Sequence, residues 1–211
     1  MKVRSYELFL GEDVDPDLVI ATVDIECEKI TAPKGQKFAW ASGETNGRRW
    51  QPFMVGVGRL QAHMIDLVIV CSFDEMALMK EVDKLLQNCV EETEGKIAQN
   101  SLNRFDEMIL KGQFVNGRRP PTRLSGGWPC LPLADLEFYP VPRSEVALPR
   151  GEDIDWRQYP ALARKDEEVI WDHCARDCVE NLLRVAGLSF CREDVPAFWR
   201  KPGDFPGEYA G

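Results

Sequence analysis

Residues 18–25 read LVIATVDI, and Glu26 follows directly. The run is short, rich in β-branched and aliphatic side chains, and closes on acids, which is the pattern of a buried strand rather than of a long helix. On this reading Asp24 sits at the carboxyl end of the strand. Successive strand residues face opposite sides of a sheet, so Asp24 and Glu26, two apart, project to the same side and can share a metal ion.

Working outward, VRSYELFL at 3–10 is a second strand. KFAWAS (37–42) and QPFMVGVG (51–58) are extended stretches separated by Gly-Glu-Thr-Asn-Gly, whose Asn46-Gly47 pair signals a hairpin. The segment from Ala62 to Phe73 is a further strand candidate. From Asp74 the period changes, and Met76, Met79, Val82, Leu85, Leu86 and Val90 fall at helical spacing, with Ser72 and Asp74 available as caps and Gly95 near the end. Lys96 to Gln99 is a short extended piece. Ser101 to Phe114 has the helical spacing Leu102, Phe105, Ile109, Leu110, and the proline- and glycine-rich stretch 116–133 reads as a loop. Val141 to Arg157 is polar and proline-punctuated, an irregular connection or short helix. Val169, Ile170, Cys174, Val179, Leu182, Leu183 and Val185 mark a last helix over 166–186, closed by Gly187. Strands first, then helix, strand, helix and helix, predict a mixed β-sheet flanked by α-helices, of α/β or α+β class. One domain spans 1–190, with 191–211 as a C-terminal extension containing a loose tail.

The chain has 211 residues, 44% hydrophobic and 29% charged, enough for one full core. A net charge of −9 argues against gripping long duplexes through a broad basic surface, so any nucleic-acid contact must be local. The apolar runs are too short for a bilayer span and the first residues lack a signal peptide's apolar stretch, which points away from a membrane and toward the cytoplasm. Seven cysteines without a Cys-x-x-Cys pair fit free thiols in a reducing compartment. His173, Cys174 and Cys178 are close in sequence, but a structural zinc site needs four well-placed ligands, and the neighbouring acids suit a harder ion. The sequence contains no Gly-x-Ser-x-Gly elbow, no phosphate-binding Gly-x-x-x-x-Gly-Lys loop and no Gly-x-Gly-x-x-Gly.

The chemistry-bearing residues are four acids in three places: Asp24 and Glu26 in VDIEC, Asp106 in QNSLNRFDEMIL, and Asp177 in HCARDCVENLL. Each alone has a bland explanation as a solvated charge. Their combination and order resemble the DEDD superfamily of 3′-5′ exonucleases, whose ribonuclease H-like fold carries Asp-x-Glu on its first strand and an Asp in each of two later motifs. Val23-Asp24-Ile25-Glu26 matches the first motif. Asn100 through Phe105-Asp106 matches the second. His173-Cys-Ala-Arg-Asp177 has the residue-x-x-x-Asp spacing of the tyrosine subclass, with His in place of Tyr; the histidine subclass has four residues between its His and Asp.

The resemblance implies a two-metal-ion phosphodiester hydrolase. Two Mg²⁺ or Mn²⁺ ions would be held by Asp24, Glu26, Asp106 and Asp177, because hard cations prefer carboxylate oxygens and retained waters. His173, one helical turn before Asp177, would share its face and act as general base; the same side chain could instead pack against or cap that helix. Asn100, Arg104, Phe105, Arg118 and Arg119 are the substrate-binding candidates, and Lys111 and Arg123 add to the local positive charge. The expected partners are single-stranded DNA or RNA 3′ ends, or short oligonucleotides. The alternative function is a catalytically inactive domain of the same fold that binds nucleic acid or protein. His63, inside an apolar strand candidate, reads as a core or edge residue rather than a catalyst.

Overall fold

In a computed structural model of the chain the described residues are 1–10, 17–31, 48–93, 96–100, 106, 137–141 and 154–186. They form strands β1 (Lys2–Phe9), β2 (Ile20–Thr31), β3 (Arg48–Gln61) and β4 (Met64–Cys71), helix α1 (Glu75–Glu92), and strands β5 (Lys96–Asn100) and β6 (Glu137–Val141). A single 3₁₀ turn (Trp156–Gln158) then leads into α2 (Tyr159–Lys165) and α3 (Glu168–Val185). The described strands lie in the order β1-β4-β3-β2-β5-β6. β1, β4, β3 and β2 pair antiparallel in turn, whereas β5 runs parallel to β2 and β6 parallel to β5. The architecture is therefore α/β, a mixed sheet flanked by helices.

Alternation along β2 divides the core. Ala21, Val23, Ile25 and Cys27 pack beneath Leu78, Met79, Val82 and Leu86 of α1. On the opposite face Ile20 joins Met54, Leu60 and Leu67 beneath Ile170, Trp171, Cys174, Cys178 and Leu182 of α3. Helix α1 begins as its sequence foretells: the Asp74 carboxylate accepts the Ala77 amide at 3.1 Å, and the Asp74 amide donates to Ser72 Oγ at 3.2 Å. At the junction of α2 and α3, Asp166 adopts φ 63° and gathers Lys2 at 2.9 Å and the Trp171 indole at 2.9 Å, so β1 is tied to the helical layer.

Several expectations need correction. β2 continues to Thr31, so Asp24 lies mid-strand, because β3 pairs with it all the way from Leu60 to Arg48. The expected strand from Ala62 to Phe73 is broken at its start: Ala62 and His63, with φ 46° and 73°, form the two-residue turn between β3 and β4. That turn demands positive φ at both positions, which Asn-Gly would signal and Ala-His does not. His63 is thus a turn residue, its carbonyl accepting the Leu10 amide at 2.9 Å. β6 escapes a sequence reading because Pro140 demotes it; at the last strand of the described sheet a proline is tolerated. The KFAWAS stretch and its Asn46-Gly47 signal, the 116–133 loop, Gly187 and 191–211 lie outside the described residues.

Two local features bring α3 close to the sheet. The β2–β3 register passes from Glu26↔Met54 to Cys27↔Pro52, leaving Phe53 as an extra residue. Phe53 and Met54 consequently both pack on the α3 side, and Pro52, which lacks an N–H, is accommodated at the bulge. Farther along β3, Gly56 lies directly under the helix: a Cβ there would sit 2.5 Å from Cys178 Sγ and 3.1 Å from Cys174 Sγ. Neither a short cysteine side chain nor the helix carrying it can retreat cheaply. Gly56→Ala is therefore expected to lower stability by about 1–3 kcal/mol, the usual cost of overpacking, read as a fall in the denaturation midpoint; an unchanged midpoint would mean that α3 is not seated this tightly.

Candidate functional site

Helix α3 lies over β2 so that a row of side chains four apart on the helix meets a row two apart on the strand. His173 Nε2 is 3.1 Å from Glu26 Oε1. One turn later Asp177 comes near enough to Asp24 for its charge to raise the Asp24 carboxyl. A further turn on, the Asn181 amide donates to Thr22 Oγ1 at 3.4 Å, and that hydroxyl donates to the Ala98 carbonyl of β5 at 3.1 Å. Asn181 and Thr22 are both buried, so this polar link of α3, β2 and β5 is favourable only when all three elements are aligned. A slip of one helical turn, about 5.4 Å, would leave Asn181 buried without its partner and carry Asp177 away from Asp24.

The acid row continues to Glu28, whose carboxylate is 2.6 Å from Arg164 Nη2 of α2. Arg164 also lies over the Phe73 ring at 4.0 Å, and Phe73 stacks on the bulged Phe53 with centroids 5.2 Å apart. Glu28 is thus neutralised by a cation. The acids nearer the middle of β2 are surrounded instead by one another.

Asp106, in helical conformation, reaches the same place from a third chain segment. Burial pushes its carboxyl up to about 8, and the charges of Glu26 and Asp177 act in the same direction, against hydrogen bonds from the backbone of Ile25 and from its own backbone. Asp24 is raised well above the ordinary carboxylate range by burial first, then by Glu26, Asp177, Cys178 and Asp106. Its Oδ2 is shut off from solvent with no hydrogen-bond partner. A buried carboxylate oxygen without a donor, among three further carboxylates, is the environment that a hard cation satisfies. Glu26, His173 and Asp177 can also each offer one ligand atom, all within 4.8 Å of one another, although His173 Nε2 is 3.8 Å from Asp177 Oδ2.

The fold therefore brings together Asp24, Glu26, Asp106, His173 and Asp177. Of the expected substrate-binding residues, Asn100 ends β5, while Arg104, Phe105, Arg118 and Arg119 lie outside the described residues, as do Lys111 and Arg123. Cys174 and Cys178 are free thiols lying against Gly56, whereas His173 points to Glu26, so the two thiols and the imidazole do not face a shared zinc position. The sequence reading does not anticipate Tyr159, whose ring centroid is 4.6 Å from that of His173. Nor does it anticipate Arg164 or the Thr22–Asn181 link. A Tyr preceding a Pro carries no motif, and a buried Asn on a helix declares itself only through its partner. No protein-family model matches the chain, and neither a curated protein nor a solved structure matches it.

Proposed function

We propose that this chain is a metal-dependent 3′-5′ exonuclease with a ribonuclease H-like fold, hydrolysing phosphodiester bonds at the 3′ ends of nucleic acid. The observation that carries the reading is the convergence of Asp24, Glu26, Asp106 and Asp177, from three separated segments, around a buried Asp24 oxygen without a donor. Mutual repulsion of this kind destabilises a protein that makes no use of it. A mixed sheet with Asp-x-Glu on an interior strand, flanked by helices that deliver the later acids, supports the fold assignment, with β1 as an additional strand ahead of the motif. Among the described residues no helix is long and apolar enough to cross a membrane. Free thiols at the described cysteines fit a cytoplasmic setting.

In this mechanism Asp24, Glu26, Asp106 and Asp177 would hold two divalent cations, Mg²⁺ or Mn²⁺. When bound, such ions make water a nucleophile near neutral pH and stabilise negative charge on the leaving 3′ oxygen. The acids also orient the attacking water. His173, of the one side-chain type that ordinarily exchanges protons near neutrality, takes the proton that the water loses. The Thr22–Asn181 link keeps His173 and Asp177 opposite Glu26 and Asp24 throughout.

Digestion of end-labelled single-stranded DNA and RNA with Mg²⁺ or Mn²⁺ tests the activity. Stepwise loss from the 3′ end is expected; no shortening of either strand with either ion would overturn the proposal. A second test needs no substrate. Because Asp24 and Asp106 are raised, the folded protein retains protons that the unfolded chain has released above pH ~4. The cation-free protein therefore loses stability as pH rises from ~4 through about 8, the value for Asp106. Mn²⁺ competes with those protons, so its stabilising shift in melting midpoint should be larger at pH 8 than at pH 5.5. A pH-independent or absent shift would mean that these acids do not bind the ion.

A further inference from the structure

On a chain of net charge −9, residues 156–165 read WRQYPALARK, with three cations, two aromatic residues and no acid. This stretch is the 3₁₀ turn and α2, and it borders the acid row through Tyr159 and Arg164. Trp156 is 44% exposed. The Arg157 guanidinium lies 5.5 Å over its ring, with a side chain that is 73% exposed. Three residues after Trp156, and so about one helical turn on, Tyr159 places its ring against His173. At the other end of α2, Arg164 is half exposed beside Glu28, two residues along β2 from Glu26. Aromatic faces interleaved with arginines, leading to a candidate phosphodiesterase centre, are what a single strand of nucleic acid needs for stacking its bases and neutralising its phosphates.

We infer that residues 156–165 form the track along which a single-stranded nucleic acid approaches the carboxylate cluster, with Trp156 stacking a base and Arg157 and Arg164 contacting phosphates. The inference rests on the exonuclease reading for the polarity of the strand, and on the local charge and aromatic pattern for its position. The acid partners of these arginines do not preclude it. Asp155 is 3.6 Å from Arg157 and both are solvent-exposed; Glu28 and Arg164 are also both partly exposed. Exposed ion pairs of this kind are weak, and a phosphate can compete for or share the guanidinium.

The experiment measures the anisotropy of a 5′-labelled DNA decamer and of an RNA decamer of the same sequence, with EDTA present to stop metal-dependent cleavage. Trp156→Ala should weaken binding by about tenfold, as the loss of one base–aromatic stack does, and Trp156→Phe should restore most of it. Arg157→Gln and Arg164→Gln should each reduce the slope of log affinity against log salt by about 0.7, the value for one phosphate contact on a single strand. Lys84→Gln, on α1 across the sheet, is the control and should change neither quantity. Arg164→Lys keeps a positive charge beside Glu28 and should retain the slope even if the Gln variant folds poorly. The DNA and RNA arms report which sugar the track prefers. Unchanged affinity and slope in the Trp156 and Arg157 variants would overturn the track and leave the exonuclease proposal standing. Track-dependent binding without 3′ shortening in Mg²⁺ or Mn²⁺ would do the reverse. No measurable binding of either decamer by the unaltered protein would overturn the track outright.

Discussion

Asp106→Asn should raise the melting temperature of the cation-free protein at pH 8 by about 2–8 °C, corresponding to about 1–2 kcal/mol for a chain of this size. The same substitution should abolish the proposed 3′-5′ cleavage and most of the stabilisation that the proposed site would draw from Mn²⁺. The argument starts from burial. Asp106 is desolvated and sits in the field of Glu26 and Asp177, which together outweigh the backbone hydrogen bonds that favour its charged form. An Asn is nearly the same size, keeps an acceptor oxygen for those backbone donors and carries no charge, so it removes the repulsion without opening a cavity. At pH 5 the gain should shrink, because Asp106 is then largely protonated and already close to neutral. Gain of stability with loss of ion binding is the signature of a site whose carboxylates are held together for a ligand. If Asp106→Asn instead destabilises the protein at every pH, the carboxylate has a structural role and the four acids do not form one cation site.

The strands and helices whose periodicity is strong were legible from sequence. LVIATVDI gives β2 because its apolar residues are buried on the sheet, and the spacing from Met79 to Leu86 gives α1 because one helical face meets that sheet. The elements that escaped depend on tertiary context. β6 contains Pro140 and is stabilised by pairing with β5; α2 is short and takes its place from contacts made by Tyr159 and Arg164 rather than from its own pattern. The β3–β4 turn is set by the pairing of the two strands, which forces Ala62 and His63 into a conformation their side chains do not favour.

The candidate site divides along the same line. Asp24 and Glu26 were visible as neighbours because a strand's two-residue period is local, and His173 and Asp177 because a helix's four-residue spacing is local. What joins the two pairs is not local. The alignment of α3 on β2 depends on Gly56 admitting two cysteine thiols, and on Asn181 finding Thr22 across 159 residues of chain. Neither feature resembles a motif. The resemblance to a family supplied the grouping of the four acids, and the packing supplies the physical reason that they can converge.

Replacing His173 by Ala should lower turnover by about a hundredfold while leaving the Mn²⁺-induced rise in melting midpoint largely intact, since a positioned general base contributes on that scale. The structure offers His173 two roles. It lies 3.1 Å from Glu26 on the same face as Asp177, as a base beside the carboxylates would, and its nitrogen also belongs to a triangle of atoms that could hold one ion. The two roles separate experimentally. Loss of a base reduces the rate and removes the limb of the pH–rate profile that rises toward neutrality, with the response to Mn²⁺ preserved; loss of a ligand weakens that response in step with the rate. His173→Gln sharpens the distinction, because its amide can keep a hydrogen bond to Glu26 but cannot take up a proton at neutral pH. Tyr159 packs against the imidazole and both substitutions remove that ring, so a Tyr159→Leu variant with near-normal turnover is what excludes movement of Tyr159 as the cause of a loss. Near-normal turnover with an unchanged pH profile in both variants would assign proton transfer to another group, and would reduce His173 to a packing partner of Tyr159 and Glu26.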